Sequence, residues 1–253
     1  MKKIVGTLGV AVFLLCGAAT SFAQSAVSTA TNPPSRLFAS KQGFSFSYPP
    51  SWMVASKDQA GAVEQQTRAY LDKIGQVAFE RFAVIVFDPN SGPFTANLNV
   101  VVTPGSMEAG EQHVEDMRSI VRSVGKAFGS EPTDVRISVE SFAGRQTMVA
   151  RYNVNMVGNQ VSQMQVIIPG RNQTYEVTCS CAQANSAYYE PIFQAMVNSM
   201  TVDEGVSSLS GPVQNALLGA ILGGAIGVLV GLLSVLKGRA QNHHRTPALK
   251  RDM

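Results

Sequence analysis

The sequence predicts an α+β domain, an antiparallel sheet with helices packed on it, followed by one C-terminal transmembrane helix. Three observations carry this. Four β-rich runs between residues 135 and 181 are separated by glycine-bearing turns, residues 114–128 repeat apolar side chains at intervals of three and four, and Val213 to Leu236 holds no ionisable residue. Consecutive strands joined by tight turns are antiparallel neighbours. The three-and-four spacing is one face of a helix. The uncharged run, at a rise of about 1.5 Å per residue, covers the roughly 30 Å of bilayer hydrocarbon.

In chain order, Lys2 and Lys3 precede an apolar run from Ile4 to Ala19 and a small-x-small site, Ser21 to Ala23. Residues 1–23 therefore read as a secretory signal peptide. Leu15 stands where a lipoprotein needs a small residue, so Cys16 leaves with the leader. Residues 24–35 are small, polar and proline-bearing, a linker too poor in apolar surface to order itself. The domain occupies 36–202.

Arg36 to Ala39 is a strand, and Gly43 marks a turn. Phe44, Phe46 and Tyr48 then alternate with Ser45 and Ser47, the period of a strand with one buried face. Pro49 and Pro50 end that strand because proline lacks the ladder's donor. Trp52, the only tryptophan, is expected as a core plug. Asp58 to Ile74 reads as a helix with Tyr70, Leu71 and Ile74 inward. Phe82 to Phe87 and Ala96 to Val102 form a hairpin around turn residues beginning at Asp88.

The next helix turns Val114, Met117, Val121, Val124 and Phe128 inward, with Glu111 and Glu115 early and Lys126 late, as its dipole favours. The strands Val135 to Phe142, Gln146 to Met156, Val161 to Ile168 and Thr174 to Cys181 make a meander. The last helix is expected from Glu190 to Met200, with Pro191 in its first turn, where a missing donor costs nothing, and Ile192, Phe193, Met196 and Met200 inward. A second linker, 203–212, leads to the span at 213–236 and a basic tail at 237–253.

The tail carries Lys237, Arg239, Arg245, Lys250 and Arg251 against Asp252. That excess places it in the cytoplasm, with the domain in the periplasm and the span in the inner membrane of a bacterium. The chain's formal charge of +3 misleads, since the segment between leader and tail has 13 basic and 16 acidic residues. A mildly acidic domain with scattered charge argues against nucleic acid as a partner.

Gly43 to Trp52 (GFSFSYPPSW) resembles the opening strand and corner of the PsbP-like family, which includes the extrinsic photosystem II subunit and bacterial envelope relatives. Gly144 to Tyr152, Gln163 to Ile168, Tyr175 to Thr178, and Tyr189 to Phe193 with Asn198 to Met200 are similar to its closing meander and helix. The resemblance implies an α/β/α sandwich, no enzymatic activity, and a role in binding or assembly on larger complexes. It transfers no site residues. The 58–74 segment is long for the family, and the photosystem subunit has no C-terminal membrane helix.

Catalysis needs a base, a nucleophile and an orienter that converge. Between leader and span the only histidine is His113, beside Glu111 and Glu115 on a solvated helix, and His243 and His244 lie in the tail. No catalytic, cofactor-binding or metal-binding residues are expected. Cys179 and Cys181 are the sharpest pair. In a strand both point to one face about 7 Å apart, beyond ordinary disulfide reach. They read as buried small side chains, as a strained local disulfide, or as a metal or thiol-exchange site.

Gly219, Gly223, Gly227 and Gly231 form a stripe suited to close helix–helix approach. The expectation is therefore a non-enzymatic, single-pass envelope protein that binds or helps assemble a protein partner at the membrane, or self-associates through its span. The alternatives are a redox or metal-handling protein working through Cys179 and Cys181, and a photosynthetic assembly factor.

Overall fold

The computed structural model describes residues 35–73, 81–92, 94–106, 109–142, 144–156 and 158–203. The strands divide into two sheets rather than one. β1 (Arg36–Ser40), β2 (Phe44–Tyr48) and β10 (Thr201–Val202) form a small antiparallel sheet in the order β1-β2-β10. The large sheet has seven strands in the order β3-β4-β5-β9-β8-β7-β6: β3 (Met53–Val54), β4 (Phe82–Phe87), β5 (Asn97–Pro104), β6 (Thr133–Phe142), β7 (Arg145–Met156), β8 (Asn159–Pro169) and β9 (Gln173–Ala182). All of its pairings are antiparallel. The expected meander is present, and its last strand, β9, pairs with β5 and so joins the hairpin to it.

Among the described residues three helices cover the large sheet: α1 (Lys57–Lys73), α2 (Val114–Ala127) and α3 (Ser186–Asn198). α3 and the small sheet bury one face. Phe44, Phe46, Trp52, Phe193 and Met196 pack there against Val84, Leu98, Val149, Val166 and Val177. α2 takes the opposite face through Met117, Ile120, Val121 and Val124, against Met148, Tyr152, Val154 and Ile167. α1 covers β4 and β5 on that second face with a smaller cluster around Val63, Phe82, Ile85, Phe87 and Val101. The alternation of strand side chains sorts residues between these layers, so the expected helix–sheet–helix layering is met, with the small sheet as an addition to one outer layer.

Gly43 turns β1 into β2 at a φ of 80°, a region open to glycine. Trp52 is buried, in edge contact with Tyr189 and Phe193 at centroid distances of 6.2 and 5.9 Å. Among the described side chains of α1, Val63 and Thr67 are buried against the sheet, with Ala60 packed beside them. The inward placement of Tyr70, Leu71 and Ile74 lies outside the described side chains. The last helix differs from expectation: a 3-10 turn (Gln183–Asn185) leads into α3 at Ser186, so Pro191 sits inside the helix rather than in its first turn. The helix forgoes that one bond, and Tyr189, Phe193, Met196 and Val197 hold it to the sheet.

No helix among the described residues is long and apolar enough to cross a membrane. The expected span at 213–236 lies outside them. So do the leader, the tail, and both linkers apart from Ser35 and Asp203.

Candidate functional site

The register of the large sheet sets Leu98, Cys179, Met164, Arg151 and Arg136 side by side across five strands on the face that carries α3. The next row holds Cys181, Ser162 and Asn153. α3 covers the inner part of these rows and leaves the outer part open. Between the start of α3 and β7–β8 lies a small, open cleft with a cavity volume of about 50 Å³. Met164, Cys181 and Phe193 form its apolar floor, Asn153, Ser162 and Ser186 supply hydrogen-bonding walls, and Asp134, Arg136, Arg151 and Glu190 surround it with charge.

The charges are arranged with some order. Arg151 Nη2 donates to Glu140 Oε2 at 3.0 Å while Nη1 bonds Oε1, a bidentate pair, and its Nε lies 3.5 Å from Glu190 Oε1. Ser138 also donates to Glu140 Oε1. The Arg151 hydrogen bond holds the Glu140 carboxyl below the usual range, and Glu140 in turn raises Arg151. Arg136, directly across from Arg151, has no ion pair among the described residues. A β-bulge between Thr133 and Arg136 redirects the end of β6, and within it Asp134 takes a φ of 53° and accepts from Asn153 Nδ2 at 2.7 Å. Bulges re-aim side chains, and this one turns Asp134 to the rim.

Both Cys179 and Cys181 are buried and unbonded in the core under α3. Burial, then the neighbouring Cys181, pushes Cys179 well up against a smaller lowering by Arg151, and burial with Glu190 pushes Cys181 up to about 12, so both stay protonated near neutrality. His113 is on the other side of the sheet, before α2, 3.3 Å from Asp116, and does not approach the cleft. No group of three or more His, Cys, Asp or Glu side chains among the described residues is placed to hold a metal. The glycine stripe, His243 and His244 lie outside the described residues.

Sequence reading missed Arg136, Glu140, Arg151 and Glu190. The register that closes on Phe142 and Arg145 sets Arg136 opposite Arg151, one residue away from the pairing that an Ala-Gly-Arg turn between strands 135–142 and 146–156 implies. Like charges placed opposite in a sheet are unfavourable unless answered.

A family model described as PsbP matches residues 36–202. The solution structure of the cyanobacterial PsbP of Synechocystis is similar, with a TM-score of 0.46 and 14% identity over 66% of this chain and 92% of that one. A crystal structure from Bacteroides thetaiotaomicron has a TM-score of 0.42 and 11% identity, over 67% and 48%. LpqN of Mycobacterium tuberculosis, described as involved in cell envelope biogenesis, has a TM-score of 0.37 and 10% identity, over 69% and 88%. No curated protein matches.

Proposed function

The chain belongs to the PsbP family, and from that premise we propose that it is a non-enzymatic envelope protein whose domain binds a protein partner in the cleft between α3 and β7–β8. The segment 213–236 anchors it in the inner membrane, with the domain periplasmic. The observation that carries the reading is the cleft itself. It is open, apolar at its base and rimmed by both signs of charge, the make-up of a recognition surface.

What supports binding over catalysis is how the reactive groups are committed. Arg151 is held by two carboxylates, and the thiols are buried and keep their protons. A general base or nucleophile needs to be poised near its working pH and within reach of a substrate. The same burial weighs against thiol exchange, which proceeds through an accessible thiolate.

The test is site-specific photocrosslinking in cells with the full-length chain. A photoreactive residue at Ser162, in the cleft wall, is expected to give a discrete adduct. The same residue at Arg122, exposed on the outer side of α2, is expected to give none. Equal labelling from both positions, or none from Ser162, would remove the cleft as the binding site.

A further inference from the structure

The large sheet ends in two unlike edges. β3 is 2 residues long, whereas β6 has 10 and, among the described residues, pairs with no strand on its outer side. Natural sheets usually blunt such an edge with bulges, prolines or charge. Here the bulge interrupts only the Thr133 end, and from Arg136 to Phe142 the register with β7 is regular. The two-residue turn makes Phe142 and Arg145 a hydrogen-bonded pair. Alternation along the ladder then points the main-chain groups of Ile137, Val139 and Ser141 outward. Among the described residues no main-chain bond reaches them from outside the sheet.

We propose that this edge is the seat of a second copy of the same chain, with the two β6 strands antiparallel about a twofold axis at Ser138. The strand is complementary to itself in three ways. First, the axis sets Ile137 opposite the partner's Val139, so residues with outward main-chain groups meet one another and exchange both bonds. Second, Val135 and Ile137 are half-buried beside the α2 cluster, and the pairing extends that apolar layer across the interface.

Third, Arg136 falls opposite the partner's Glu140, and the reverse. Within one chain Glu140, Arg151 and Glu190 carry a net negative charge. The partner's Arg136, unpaired among the described residues of its own chain, balances it. Moving the axis to Val139 would set Arg136 against the partner's Phe142 and leave both charges unanswered, so electrostatics selects the register. A contact of this kind is isologous and closes as a dimer.

The pairing does not depend on the cleft's partner and is tested separately. At the axis the two Ser138 residues form a non-hydrogen-bonded pair with Cα atoms about 4.5 Å apart, inside disulfide range. In the purified full-length chain, Ser138→Cys should give a disulfide-linked dimer under mild oxidation, while Arg122→Cys on α2 should not. Val139→Pro, which removes an outward donor and spares the ladder to β7, should abolish the Ser138→Cys crosslink. Arg136→Glu should do the same by reversing the matched charge, and carries the test if circular dichroism shows the proline variant misfolded. Because the readout is local to β6, association through the span does not mimic it. A crosslink at 138 no faster than at 122, one indifferent to both substitutions, or one made to a different protein would overturn the proposal.

Discussion

Trp52 shows at the scale of one residue how the sequence commits the fold. A lone indole after a strand-ending proline pair has a large apolar area to hide, and it is buried between β2 and α3 against Tyr189 and Phe193. Trp52→Ala should cost about 3–5 kcal/mol, a large share of a domain whose total is about 5–15. Denaturant titration measures it, and native fluorescence should be that of a shielded indole. A loss below about 1 kcal/mol would place the ring outside the core.

Glu140 makes a prediction with a sign. Its carboxyl is held low by Arg151, so the pair stabilises the fold fully above the ordinary glutamate pKa of about 4.3, and that contribution fades as pH falls through the depressed value. Glu140→Gln should therefore be destabilised at about pH 7 and approach wild type at about pH 3. An equal deficit at both pH values would mean that the salt bridge contributes nothing.

Among the elements, α2 illustrates a conflict between local propensity and packing. Gly125 lies in its last turn, where alanine would ordinarily gain about 1 kcal/mol. A Cβ there would come within 2.4 Å of the Ser130 carbonyl oxygen and 2.3 Å of Pro132. Backbone does not yield as a long side chain does, so Gly125→Ala should lower the melting temperature; a rise would show that the 128–132 turn can move aside.

The elements also show what was legible in the sequence. The meander, the hairpin and α2 could be read because each buries one face and so imposes a period on the sequence. α3 begins about a turn before the start that Pro191 suggests, and Asn185 at its N-cap makes no side-chain capping bond. β3 and β10, each 2 residues long, have no period to detect. The cleft was legible only in part, since its charged residues are distant in sequence and meet through cross-strand register.

For the whole molecule, the layers explain why the site is where it is. α3 and the small sheet cover the face as far as Val149 on β7 and Phe142 on β6, while the parts of β6–β8 that carry Arg136, Arg151 and Ser162 extend beyond them, which leaves the cleft. The central claim is that this cleft holds a partner, and filling it tests that most directly. Ser186 stands half-buried in its wall at the first turn of α3, where a larger side chain can enter the cleft without displacing the core. Binding of the partner trapped from Ser162 is measured with the full-length chain, wild type against Ser186→Trp, beside thermal denaturation of both. The account predicts an unchanged melting temperature and affinity reduced by about a hundredfold or more, the loss of about 2.7 kcal/mol typical of a blocked central contact. Wild-type affinity in the filled variant would contradict it.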